Sequence, residues 1–306
     1  MELIKFEDYL KKCESRLVAT IGDFDGIHLA HQLLITKTSQ KALELNIKSA
    51  IITFDPHPAT ILSNHNVELI NSSNEKYKIC EKFGIDYLIV IKFDLKFSTQ
   101  TPKEFIENYL LKINVCELFV GFDFKFGKFG LGNVDNISSL SNNLIKTNKI
   151  LEISYHGEKI GSTLIRKYIK SGLLEDANYL LTYPYFFSGE VIYGKQIGRT
   201  INLPTANIYC TDKKLLLKKG VYAVKILING IKYYGMMNVG NNPSFNYTKN
   251  YSTEVNIFDF NQDIYGKIVT IECYKYIRDE IKFASVDLFL RQVLIDKQEI
   301  CEYFKI

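Results

Sequence analysis

Apolar residues in the first half of the chain form short unbroken runs separated by stretches with helical spacing. Leu17-Val18-Ala19-Thr20-Ile21 predicts a buried strand, ended by Gly22-Asp23-Phe24-Asp25-Gly26. Over 28–45, Leu29, Leu33, Leu34, Ala42 and Leu45 share one helical face. Ser49-Ala50-Ile51-Ile52-Thr53-Phe54 predicts the next strand, stopped by Asp55-Pro56-His57-Pro58. Tyr87-Leu88-Ile89-Val90-Ile91 and Glu117-Leu118-Phe119-Val120-Gly121 predict two more, and Thr101-Pro102-Lys103-Glu104 starts a helix with a capping box and Pro at its first position. Strands apolar throughout and separated by helices predict a parallel sheet covered on both faces.

After a helical pattern over 162–179 the rhythm changes. Ser188-Gly189-Glu190-Val191-Ile192-Tyr193-Gly194 predicts a short strand, and 221–228 and 231–237 flank Asn229-Gly230, a strong hairpin signal. Strands over 255–260 and 267–274 and a helical tail from Ser285 complete a pattern expected of an antiparallel barrel or sandwich. The join falls near Thr182-Tyr183-Pro184, which predicts domains at 1–182 and 183–306. The run Ser138-Ser139-Leu140-Ser141-Asn142-Asn143 reads as a polar loop.

Length agrees: 306 residues suit two domains. At 46% hydrophobic and 24% charged, the composition excludes a disordered or collagen-like chain. The net charge of +4 is spread over separated lysine pairs (Lys11-Lys12, Lys213-Lys214, Lys218-Lys219), which predicts a solvated surface and no nucleic-acid partner, while small anions remain plausible ligands. Cys13, Cys80, Cys116, Cys210, Cys273 and Cys301 form no C-x-x-C pair, and the start lacks a long apolar core. Both features point to the cytoplasm, and no run of 18 apolar residues predicts a membrane span.

The run from Gly22 to His31 lies where a strand of a parallel sheet enters a helix, the usual place for a ligand. Glycines let backbone approach a phosphate, and the helix start offers free N–H groups. His28 and His31, three residues apart, project from one face of the first turn, where two donors can hold the α-phosphate of a nucleotide during in-line attack. In the second half, the loop from Gly194 through Arg199 to Thr205-Ala206-Asn207 pairs glycine turns with a hydroxyl and an amide oxygen able to complete a Mg²⁺ shell. Each stretch also has a bland reading, as a packed histidine pair and as a structural hairpin loop.

The first run resembles the H-x-G-H signature of nucleotidylyltransferases, and more closely the G-N-F-D-G-V-H-x-G-H motif of the bacterial bifunctional riboflavin kinase/FMN adenylyltransferase (FAD synthetase) family. Phe54-Asp55-Pro56-His57-Pro58, Gly121-Phe122-Asp123-Phe124-Lys125-Phe126-Gly127 and Gly161-Ser162-Thr163-Leu164-Ile165-Arg166 resemble its later motifs, in order. Gly198-Arg199 with Pro204-Thr205-Ala206-Asn207 resembles the flavokinase G-R-x-x-G-x-P-T-A-N pattern, with Asn202 where Gly is usual.

The resemblance implies an α/β Rossmann-like nucleotidylyltransferase domain with a parallel sheet, then an antiparallel β-barrel flavokinase domain with a C-terminal helix. It implies ATP-dependent phosphorylation of riboflavin to FMN, then adenylylation of FMN to FAD with release of pyrophosphate. ATP, riboflavin and FMN would be the substrates and Mg²⁺ the cofactor; separately, the sequence leaves room for a weak homo-oligomer. By the same resemblance Glu254, His28 and His31 are catalytic. Gly22, Asp23, Phe24, Gly26, Ser162, Thr163, Arg166, Gly194, Gly198, Arg199, Thr205 and Asn207 bind ATP or its phosphates, and Thr205 and Asn207 also hold Mg²⁺. Phe54, Pro56, His57, Pro58, Asp123, Phe124, Phe126 and Arg278 line the flavin.

The chain departs from the pattern at Asp23 (Asn in the family), Ala30 (Gly), Gly161 (Ser) and Gly130-Leu131-Gly132-Asn133 (R-x-G-D). Those departures leave two other readings open: a riboflavin kinase with an inactive first domain, and a non-catalytic flavin or nucleotide sensor.

Overall fold

The computed structural model describes residues 1–12, 15–63, 67–194, 201, 203–210, 214–240 and 252–306. The chain divides into two compact units, Met1–Leu164 and Ile165–Ile306.

The first unit is built on six parallel strands: β1 (Glu2–Lys5), β2 (Leu17–Ile21), β3 (Lys48–Asp55), β4 (Tyr87–Lys92), β5 (Val115–Gly121) and, after the small hairpin of β6 (Lys125–Phe126) and β7 (Gly132–Asn133), β8 (Lys146–Ile150). Their order is β1-β4-β3-β2-β5-β8. All five residues of β2 are buried. Because side chains alternate across a strand, Leu17, Ala19 and Ile21 enter the large core on one face, while Val18 packs with Leu34 and Ala42 of the helix Leu29–Leu45 on the other. The expected capping box is present, with Thr101 and Glu104 exchanging backbone bonds. β9 (Ser154–Tyr155) and β10 (Glu158–Lys159) form a second small hairpin.

Two strands escape the apolar-run pattern. β1 exposes three of its four residues, and Lys146-Thr147-Asn148-Lys149-Ile150 has none fully buried, as edge strands need only half their surface covered. Residues 138–140 of the expected polar loop lie in a helical turn, Ile137–Leu140. The helical pattern over 162–179 is interrupted: Gly172 (φ 81°) ends the helix Ser162–Ser171, and Leu174–Leu181 begins after it.

The second unit contains a closed antiparallel barrel of β11 (Tyr185–Ile192), β12 (Ala206–Tyr209), β13 (Gly220–Ile228), β14 (Ile231–Gly240), β15 (Ser252–Ile257) and β16 (Ile268–Arg278), ordered β11-β12-β15-β14-β13-β16. The hairpin is in place: Asn229 (φ 50°) and Gly230 (φ 84°) both adopt the left-handed backbone of a type I′ turn. The C-terminal helix Val286–Phe304, capped by Ser285, buries Val293 and Ile300 against Val221, Ala223 and Met236. No helix among the described residues is long and apolar enough to cross a membrane.

Candidate functional site

From β2 the chain adds β3 on one side and later β5 on the other, so the end of β2 is the point where the strand order reverses. Open α/β sheets bind ligands outside the strand ends at such a point. The loop leaving Ile21 turns sharply, with φ of 49° at Phe24, 85° at Gly26 and 35° at Ile27. Left-handed backbone at bulky residues persists only when surrounding contacts enforce it, and three segments do so here.

The Asp25 carboxylate, 2% exposed, accepts from the Ile70 N–H at 2.9 Å and the Asn71 N–H at 3.1 Å. The Asp25 carbonyl accepts the Ser162 hydroxyl at 2.7 Å. The Asp23 carbonyl accepts from Lys76 Nζ at 2.5 Å and from Thr53 Oγ1 at 3.3 Å. Phe24 and Ile27 are fully buried beneath the loop, and the Gly22 N–H donates to the Ile52 carbonyl.

His28 caps the helix Leu29–Leu45, its Nδ1 accepting the His31 N–H at 3.4 Å. With Nδ1 accepting, the neutral ring carries its proton on Nε2, which is then a donor. The His31 ring stacks on His28 at 3.7 Å and lies 5.0 Å from Phe24. Burial pushes His28 down to about 4, helped by the Lys159 ammonium. Burial also holds His31 well below the usual imidazole range, with His28 and Lys76 adding to the effect. Both rings are therefore neutral at neutral pH, and His31 Nδ1 is buried without a partner. The first helical turn carries no acidic side chain, so the positive end of the helix is left for an external anion.

The expected flavin residues lie at the ends of β3 and β5. A cis Asp55–Pro56 peptide leads to His57, which caps the helix Pro58–Leu62 by accepting the Ala59 N–H at 3.2 Å. His57 Nε2 lies 3.7 Å from the Asp23 carboxylate. Phe54 packs against Phe93 and Phe97. Asp123 pairs with Lys159, whose ammonium also sits 4.7 Å above the Phe122 ring. Phe124 stacks on Phe126 at 5.6 Å, while Phe126 is itself a core residue against Phe105. Thr163 is exposed in the first turn of the helix Ser162–Ser171, and Arg166 follows one turn later.

In the barrel, Glu254 of β15 faces Asn207 of β12 on one side and Asn238 of β14 on the other. The Thr205 hydroxyl donates to Glu254 Oε2 at 3.4 Å. Gly194 is required here, since a Cβ on it would meet the Asn207 amide at 2.2 Å. Gly198 and Arg199 lie outside the described residues. Thr205 and Glu254 border a cavity of about 350 Å³ whose other walls include Leu203, Val221, Met236, Ile281, Phe283 and Phe289. Thr205 also borders a second cavity, of about 270 Å³, with Pro204, Phe260 and Tyr265.

Arg278 lines the larger cavity with its guanidinium already engaged. Nε donates to both oxygens of Asp296 at 2.9 and 3.0 Å, and Nη2 donates at 2.7 Å. Asp296 is 1% exposed and also accepts from Gln292 at 2.9 Å. Thr205, Asn207 and Glu254 offer only hard oxygen donors, the set Mg²⁺ prefers alongside water and phosphate.

Sequence reasoning passed over Lys76, Lys159, Gln292 and Asp296. Lys76 lies in a helix whose Ser72/Glu75 capping box reads as ordinary local structure, and Asp296 sits on an amphipathic tail. Only the tertiary fold marks them.

Residues 10–164 match the family model described as FAD synthetase, and residues 181–304 match that described as riboflavin kinase. The bifunctional riboflavin kinase/FMN adenylyltransferase of Listeria monocytogenes is 38% identical over 94% of this chain and 92% of its own. That of Bacillus subtilis is 38% identical over 96% and 95%. A solved Streptococcus pneumoniae structure, described as a macrolide-efflux protein, superposes with a TM-score of 0.87 at 31% identity, over 94% of this chain and 95% of that one.

Proposed function

The chain belongs to the bifunctional riboflavin kinase/FMN adenylyltransferase family, and we propose which of its residues carry each reaction. It phosphorylates riboflavin with ATP to give FMN, and it transfers the adenylyl group of ATP to FMN to give FAD. In our reading, residues 183–306 perform the first reaction and residues 1–182 the second, in the cytoplasm.

In the barrel, riboflavin enters the larger, apolar cavity with its ribityl 5′-hydroxyl toward Glu254. Glu254 takes the proton as that oxygen attacks the γ-phosphate, and ADP leaves. ATP, as its magnesium complex, occupies the cavity on the other side of Thr205. Thr205 and Asn207 supply oxygens to the Mg²⁺, which neutralises phosphate charge when bound. Gly194, Gly198 and Arg199 would complete the phosphate loop, and Arg278, steadied by Asp296, closes the flavin side.

At the β2 end, a phosphate oxygen of FMN attacks the α-phosphorus of ATP. The bond to the bridging oxygen of the β-phosphate breaks, and pyrophosphate leaves. His28 Nε2–H, His31 and the free N–H groups of the helix start hold the α-phosphate. Gly22, Asp23, Phe24 and Gly26 shape the loop, and Thr163 and Arg166 reach for the remaining phosphates while Ser162 secures Asp25. Phe54, Pro56, His57, Pro58, Asp123 and Phe124 border the flavin, with Phe126 as the buried support beneath Phe124.

The convergence of Thr205 and Glu254 on one cavity supports this reading most directly. Incubating the protein with riboflavin, ATP and Mg²⁺ and separating the flavins tests it. FMN followed by FAD is expected, with both lost when the metal is chelated. Accumulation that stops at FMN would defeat the assignment at the β2 end, and riboflavin binding without ATP consumption would defeat both.

A further inference from the structure

Lys76 reaches from the helix Ser73–Cys80 to the ends of β2 and β3, where its ammonium donates to the Asp23 carbonyl and, at 3.4 Å, to the Thr53 hydroxyl. Both partners are neutral oxygens. The carboxylates of Asp23, Asp25 and Asp55 act on it only through space, and burial pulls its pKa below the usual lysine range. A desolvated ammonium is costly unless an anion completes it, and this one has three donors with two partners. Its field also reaches His31, whose Nδ1 has no partner. A lysine required only to brace the loop would be better matched by a carboxylate, yet two of the three carboxylates nearby are committed elsewhere: Asp25 to the Ile70 and Asn71 N–H groups, and Asp23 facing His57.

We propose that Lys76 is a substrate-binding residue of the adenylyl-transfer reaction, its ammonium taking a phosphate oxygen of the reacting pair between the ends of β2 and β3. The proposal rests on the reading of the His28/His31 site given above. The phosphate can come from ATP or from FMN, and the two sources separate kinetically.

FAD formation from supplied FMN and ATP is measured in the full-length protein for Lys76→Met, Lys76→Arg and His28→Ala, with riboflavin phosphorylation followed in the same preparations. Lys76→Met is expected to raise the KM for one substrate by about ten- to a hundred-fold, the span of one charge-assisted hydrogen bond. A rise for ATP assigns the contact to ATP, and a rise for FMN assigns it to FMN. Lys76→Arg is expected to recover most of the loss and keeps the test open where Lys76→Met fails to fold. Unchanged KM values in Lys76→Met, or an equal loss in Lys76→Arg confined to kcat, overturn the phosphate contact. If His28→Ala also leaves FAD formation intact, the histidine site itself is misassigned, a separate failure.

Discussion

As we propose them, the two sites solve one problem, holding phosphate next to a nucleophile, with opposite materials. At the β2 end, ten consecutive residues supply loop, helix start and both imidazoles, and the fold adds tethers from afar. In the barrel no segment holds more than a fragment: Thr205 and Asn207 sit at the start of one strand, Glu254 lies in another, and Arg278 ends a third. The first site buries its histidines, and burial keeps them neutral, so in this reading its power rests on donors fixed in a low-dielectric setting. The second places a carboxylate on an open cavity, suited to receiving a proton. Transferring an adenylyl group requires no proton from FMN, whose phosphate is already anionic, whereas a ribityl hydroxyl must lose one. The difference in chemistry explains the difference in construction.

The sharpest way to break this comparison is Glu254→Gln. It should lower FMN formation by at least about a thousand-fold, a large effect for loss of a general base, while FAD formation from supplied FMN continues. Equal loss of both activities would show that the sites are not separate. His28→Ala should do the reverse, with FAD formation falling by about 10²–10³-fold, as expected for one removed donor to a developing anion. Unchanged FAD synthesis would remove His28 from the chemistry.

Asp296→Ala leaves the Arg278 guanidinium without a carboxylate partner at a cavity wall, with only the Asp279 carbonyl, among the described residues, to accept from it. It should destabilise the barrel by about 3 kcal/mol, read as an earlier urea transition with FAD formation from FMN preserved. A shift below about 0.5 kcal/mol would mean the ion pair contributes little.

The smallest effect is the pH response of the sheet unit. His28 titrates near 4 in the folded chain against an ordinary value of 6.5. Between those values the unfolded chain binds more protons, so the contribution is complete above pH 6.5 and is lost as pH falls toward 4. The slope should be about 1 kcal/mol per pH unit. Urea unfolding at pH 4.5 and 7 should show a smaller difference in His28→Gln than in the natural sequence, and an equal difference would place the acid sensitivity elsewhere.

Legibility in the sequence followed the same division. Buried strands such as β2 announce themselves because both faces are covered, and the Asn229-Gly230 turn because its backbone admits few residues. β1 and β8 went unseen because an edge strand needs no apolar run. His28 and His31 were readable from local spacing, but Glu254 emerged only through likeness to a family, since a strand glutamate is usually a solvent-facing residue. Lys76 and Asp296 left no local trace: their significance depends on groups 53 and 18 residues away. Phe126 shows the converse, an aromatic whose pattern fits a pocket and whose ring the fold spends on the core.

The bond from the Ser162 hydroxyl to the Asp25 carbonyl joins residues 137 positions apart. Proteins are made from the N-terminus onward, so a growing chain completes all six strands of its sheet before that last tether emerges. A fragment ending at residue 161 would possess the whole sheet and both histidines with the loop between them one anchor short, and that last anchor arrives with the helix Ser162–Ser171.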